Sequence, residues 1–109
     1  MPHTHFWQVS SLEEQDAKAG KAYLEFLRVP AMSAGLYILP VGGTDPQSPH
    51  QEDEMYYVVR GKAQMRVGSE SRPVGAGSVI FVEERLEHCF YDITEELVVL
   101  VFFAPAETA

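Results

Sequence analysis

From Tyr23 onward the chain is a succession of short runs of β-branched and aromatic residues, each closed by a cluster of turn formers. That punctuation limits the fold more than any other feature. Runs at 23–29, 34–39, 55–60, 63–67, 78–82, 88–91 and 97–103 read as strands. The separators carry turn chemistry: Pro40 to Gly43, Arg60-Gly61-Lys62, Gly68 to Ser71, Gly75 to Gly77, and Asp92 to Glu96. Ahead of them the sequence predicts a short strand at 6–9. Ser11 followed three residues later by Glu14 then predicts a capping box opening a helix over 12–18, with Gly20 as its stop. Many short strands, regular turns and one short helix predict an all-β fold, an antiparallel double-sheet sandwich or barrel.

The 109 residues fit one domain with one core. A hydrophobic fraction of 46% beside 22% charged residues is that of a folded globule. The formal charge of −8 repels phosphate backbones and anionic lipid headgroups, which argues against nucleic-acid and membrane-surface partners. The longest apolar run, 97–105, falls well short of the roughly 18 residues of a membrane span. The opening residues lack the basic and apolar regions of a signal peptide, and the single cysteine, Cys89, fits a reducing compartment. A cytoplasmic location is therefore expected.

Strand parity selects the candidate site. Ser48, His50, Glu52 and Glu54 share a face if that segment is extended, and His88 shares one with Phe90 on a different strand. His50, Glu54 and His88 are thus expected to converge inside the barrel. Two imidazoles and one carboxylate suit iron, manganese, nickel, zinc or copper, and leave open positions for water, dioxygen or a small organic ligand. Ser48, a poor ligand, would hydrogen-bond a metal-bound water. Glu52 becomes a fourth ligand if the segment bulges, and otherwise joins Asp45, Asp53, Glu70, Glu83, Glu84, Glu87, Glu95 and Glu96 as loop or rim charge. The competing interpretation makes each histidine a solvated or structural strand residue. His3 and His5, near the terminus, are assigned a flexible or edge-strand role, and Cys89, opposite in parity to His88, that of a small core residue.

Tyr56 and Val58 share parity with Glu54 and should line the interior, whereas Met55, Tyr57 and Val59 face outward. Tyr56, Phe81 and Phe90 are the expected pocket walls. Because 55–59 and 97–103 are apolar on both faces, the outer face needs cover, from the N-terminal segment with Phe6 and Trp7 or from a second subunit. A symmetric homodimer is the expected assembly, with a monomer covered by its own first strands as the alternative.

The spacing also resembles the two motifs of the cupin superfamily. The first is glycine, five residues, His-x-His, three or four residues, Glu, six residues, glycine. Gly42, Ser48-Pro49-His50, Glu54 and Gly61 keep that frame. The second is glycine, five residues, Pro-x-Gly, two residues, His, three residues, Asn. Gly77, Glu83, Arg85, His88 and Asp92 fall in its frame. The resemblance spans about 34–105 and implies a jelly-roll barrel of the RmlC-like type: a single cupin domain over 1–109, with N-terminal strands and helix in 1–33 and the barrel core in 34–105. It implies a divalent metal and a homodimer. It also implies a range of small-molecule chemistry that includes dioxygenases, sugar isomerases and epimerases, and lyases.

Ser48 replaces the first histidine of the pair, and Glu83, Arg85 and Asp92 replace the Pro, Gly and Asn. Two functions follow: a metal-dependent enzyme of dioxygenase, isomerase or lyase type acting on a small organic molecule, or a non-catalytic ligand-binding or accessory module with a degenerate site. A third reading keeps the barrel and gives its histidines a purely structural role. The acidic composition argues against phosphorylated sugars, which need cationic clamps.

Overall fold

The computed structural model describes residues 4–20, 22–45 and 49–108. Ser48 and His3 lie outside the described residues. The elements are helix α1 (Val9–Ala19) and strands β1 (Tyr23–Val29), β2 (Met32–Leu39), β3 (Asp53–Val67), β4 (Glu70–Gly75), β5 (Val79–Val82) and β6 (His88–Ala104). The strands pair antiparallel in the order β1-β2-β6-β3-β4, with β5 also on β3, and this path stays open at its ends. The all-β antiparallel fold with one short helix is as the punctuation predicts. No helix among the described residues is long and apolar enough to cross a membrane.

Several element boundaries differ from the sequence reading, each for a physical reason. The expected strand at 6–9 does not form, and helix begins at Val9. Val9 and Leu12, three apart, both pack into an apolar cluster with Leu36 and Val98, so burial at helical spacing prevails. Ser11 lies inside the first turn, its amide bonded to the carbonyl of Gln8, and no side chain caps the helix. The predicted capping box is therefore absent. Gly20 does end α1, in the left-handed conformation with its amide on the Asp16 carbonyl. Cover over the outer face of β1, β2 and β6 comes from α1, helped by Trp7, which packs edge-on against Phe26 at 4.9 Å. Phe6, 93% exposed, contributes none.

The sequence also suggested separate strands at 55–60 and 63–67, and at 88–91 and 97–103. Each pair is one long strand, β3 and β6. Residues 60–62 form part of a bulged bend, not a turn, as the β3–β6 register shifts between Val58 and Gln64. β4 was hidden by its polar composition and by Pro73, both of which an edge strand tolerates. β5 pairs with Glu54 to Tyr57 of β3, and β4 with Lys62 to Val67 beyond the bend. The main core lies inside the folded ladder, built on Tyr56, Val58, Met65, Phe90, Leu97, Val99 and Val101.

The bend positions the site. Glu54 pairs with Phe103 at one end of the β3–β6 ladder, whereas His88 pairs with Val67 at the other. Gly61 marks the bend, with φ of 106°, where a Cβ would lie 2.3 Å from the carbonyl oxygen of Glu96. Gly61→Ala is expected to lower stability by more than about 1 kcal/mol, the cost of forcing an L side chain into such a backbone. An unchanged urea midpoint would show that the bend forms without glycine.

Candidate metal centre

Glu54 and His88 are almost fully buried, 2% and 5% exposed. Glu54 arrives by strand parity: with Tyr56 and Val58 it faces inward, while Met55 and Tyr57 face out. His88 is the first residue of β6 and shares its inward face with Phe90. His88 Nε2 lies 3.1 Å from Glu54 Oε1, and Nδ1 lies 2.9 Å from the carbonyl oxygen of Leu86. A carbonyl only accepts, so Nδ1 carries the proton and Nε2 is the nitrogen turned to the carboxylate. His50 completes the group, with one ligand atom from each of His50, Glu54 and His88 within 4.8 Å of the others.

His50 does not reach this point on an extended strand. Residues 49 and 50 are irregular, Gln51 and Glu52 form a bend, and β3 starts only at Asp53. The extended segment expected to carry His50 to the site is therefore absent over 49–52, although Glu52 and Glu54 are both turned inward. Contacts place the ring of His50 instead: Phe103 edge-on at 4.9 Å, His88 at 5.5 Å between centroids, and Glu107, whose Oε2 is 3.2 Å from Nδ1. The turn at residues 83–86 holds both histidines, since the Arg85 amide donates to the His50 carbonyl and the Leu86 carbonyl accepts from His88. Arg85 stands at the glycine position of the second motif and takes the left-handed φ of 65° that a glycine would adopt freely.

The remaining expected site residues divide. Tyr56 and Phe90 are buried beside the triad, Tyr56 with its ring 6.0 Å from that of His88 and 5.1 Å from that of Phe90. Phe81 is a correction: it pairs with Met55 on the outward face and is 56% exposed, because its parity follows Met55, not Glu54. Glu52 as a fourth ligand is a second correction, and as a rim charge a third. It is 4% exposed, and Oε2 accepts from the amide and hydroxyl of Thr108. Cys89 is half-buried on the outer side near Arg66, 3.6 Å from Nη2, and not in the core.

Asp45, read from sequence as rim charge, is structural. Its Oδ1 accepts from the Tyr37 hydroxyl at 2.6 Å and its Oδ2 from the Phe90 amide at 2.8 Å, fastening the loop after β2 to the strand that carries His88. Burial and this carboxylate push the Tyr37 hydroxyl well above its ordinary range. A groove of about 1210 Å³ opens beside Asp45 and Phe90; the triad does not line it.

The electrostatics of the pocket are unusual for an interior. Neither oxygen of Glu54 receives an aligned hydrogen bond among the described residues, although both are inaccessible to solvent. In the neutral ring the proton sits on Nδ1, so His88 Nε2 lies 3.1 Å from Oε1 without donating to it. An ionised carboxylate buried in this way is costly unless a cation faces it. Burial drives His88 toward neutrality, yet the Glu54 carboxylate and the Leu86 carbonyl outweigh it and raise its pKa. Burial likewise raises Glu107, with His50 pulling down and Glu54, Glu52 and Glu25 pushing further up. The donor set, two imidazoles and a donor-starved carboxylate, fits a divalent transition metal.

Known proteins share this frame. Residues 35–103 match the family model described as the cupin domain. An uncharacterized protein of Streptomyces coelicolor is 46% identical over 102 residues, 94% of this chain and 97% of that one. Among solved structures, an RmlC-like cupin from Shewanella frigidimarina is 19% identical with a TM-score of 0.70, over 77% of this chain and 75% of that one. The DMSP lyase DddQ from Ruegeria pomeroyi is 18% identical with a TM-score of 0.68, over 81% of this chain and 49% of that one.

A raised His88 has a signed consequence for the metal-free protein. Its protonated form, facing Glu54, stabilises the fold fully below the ordinary histidine value of 6.5, and that contribution disappears as pH rises through the elevated folded value. The urea midpoint of metal-free protein should therefore fall across the neutral range relative to His88→Gln. Parallel pH profiles for the two proteins would disprove the pairing.

Proposed function

This chain belongs to the cupin family, and on that footing we propose that it holds a divalent metal ion on His50, Glu54 and His88 and uses it on a small organic molecule. The observation that carries the reading is the Glu54 carboxylate, buried with no aligned donor on either oxygen and set 3.1 Å from a histidine nitrogen. His88 would ligate through Nε2 because Nδ1 is occupied by Leu86. When bound, the ion supplies Lewis acidity or, for a redox metal, oxygen chemistry, and a three-ligand set leaves it positions for the organic molecule.

The chain's own groups would shape what enters. Tyr56 and Phe90 form an apolar wall beside His88, suited to a planar or aliphatic ligand. The charged groups around the triad, Asp45, Glu52 and Glu107, are acidic and oppose a phosphorylated or polyanionic one. The DMSP lyase of the same fold supports turnover, since it shows that such a scaffold carries chemistry. Serine at position 48, in place of the motif's first histidine, favours the second reading, an accessory module that binds a ligand without converting it.

Protein purified without chelators or nickel resin should carry about one metal ion per chain, with His50→Ala and His88→Ala losing most of it, as measured by elemental analysis. Metal-free native protein that takes up no added iron, manganese, nickel, zinc or copper would refute metal binding. Turnover of an organic panel by the loaded protein separates the enzyme from the module.

The same reading includes a second copy of the chain. Met55 pairs with Phe81 and Tyr57 with Val79 on the outer face of β3 and β5, and all four are exposed. α1 covers the other outer face instead. Light scattering should give the mass of a dimer, and Phe81→Glu with Tyr57→Glu should give monomers that keep their metal. A native monomer at micromolar concentration would exclude this.

A further inference from the structure

The segment after β6 is fastened by hydrogen bonds to β1, to β2 and to the bend before β3. The Glu107 amide donates to Ser33 Oγ at 2.9 Å, its carbonyl accepts from Arg28 Nη2 at 2.8 Å, and Thr108 donates twice to Glu52, at 2.8 and 3.3 Å. Two of these acceptors, Ser33 and Glu52, are buried. Together the bonds direct the Glu107 side chain at His50, with Oε2 3.2 Å from Nδ1. Glu107 is not itself in the ligand group, which comprises His50, Glu54 and His88.

His50 is the triad member that most needs such a partner. Glu54 and His88 are fixed by the β3 and β6 ladders, whereas His50 precedes β3 and its carbonyl accepts from the Arg85 amide of the 83–86 turn. A carboxylate on Nδ1 fixes the tautomer that puts the lone pair on Nε2, and it makes the imidazole a stronger donor to a metal. For His88 the Leu86 carbonyl already does this. Resting on the metal reading above, we propose that Glu107 is the positioning residue for His50, and that the strap of residues 105–108 is a built part of the metal centre.

The test compares the native protein with Glu107→Gln, Glu107→Ala and, as a strap control, Thr108→Ala. Co²⁺ is the probe, its affinity measured by chelator competition and its coordination by visible absorption. Loss of the carboxylate should weaken Co²⁺ binding about 10- to 100-fold and shift the ligand-field bands. Thr108→Ala should have a smaller effect, and urea midpoints of the metal-free proteins should move little. Imidazole nitrogen NMR shifts of the metal-free protein should show His50 protonated on Nδ1 in the native chain and mixed between tautomers in the Gln variant. The Gln variant, isosteric with Glu, keeps the comparison valid if the Ala variant fails to fold. Equal Co²⁺ affinity and spectra in native and Gln proteins would reduce the strap to packing. If native protein binds no Co²⁺, the metal reading falls by itself, and an unchanged His50 tautomer in the Gln variant would overturn the positioning role separately.

Discussion

The site depends on the bend in the β3–β6 ladder. In a flat antiparallel pair rising about 3.3 Å per residue, Glu54 and His88 would stand roughly 40 Å apart, since they occupy opposite ends of the ladder. In the folded chain their side chains are 3.1 Å apart. Register shifts between Val58 and Gln64 and the close approach of Gly61 to Glu96 turn one long sheet back over itself. The apolar residues enclosed by that turn, Tyr56, Val58, Phe90 and Val99 among them, hold it closed. The same burial that stabilises the fold therefore removes water from around Glu54 and His88.

Water removal makes an unpaired carboxylate in such a pocket costly, and a facing cation lowers that cost. A buried carboxylate with no aligned donor is a liability in a metal-free protein, and the neighbouring His88, whose pKa it raises, is an imidazole in contact distance to offset it. Apolar replacements of similar volume would be as stable or more so, which makes stability a poor reason for this pair. The ion binding proposed above is consistent with all three side chains. The ordering around them points the same way: Leu86 and Glu107 take the Nδ1 atoms, and Asp45 secures the backbone next to His88.

Much of this was legible in the sequence where geometry is local. Period-two parity put Glu54, Tyr56 and Val58 inward and Met55 and Tyr57 outward, and the turn residues marked an all-β chain. Legibility failed where a long-range partner decides. Phe81 was misjudged because the parity of a four-residue strand is fixed only by its register on β3. Asp45 and Glu52 looked like rim charge and Glu107 carried no local signal, yet each meets a partner 45 or more residues away. The split of β3 and β6 into shorter strands came from reading Gly61 and Asp92 as turns, when both are left-handed kinks within continuous strands.

The altered second motif shows which part of it the site requires. With Glu83 and Arg85 in place of proline and glycine, the turn at 83–86 still forms, and Arg85 accepts a left-handed backbone at a cost of about 1–2 kcal/mol. Backbone contacts account for its persistence, because one peptide amide of this turn holds the His50 carbonyl and one carbonyl holds His88 Nδ1. The side chains of the motif can change so long as those two groups stay where they are. Ser48 is a different matter, since it removes a donor atom and leaves the centre with two imidazoles and one carboxylate. A metal held on that set, as proposed, would have more open positions than on four ligands, and the proposed role of Glu107 would matter there: with fewer ligands, the orientation of each one counts for more.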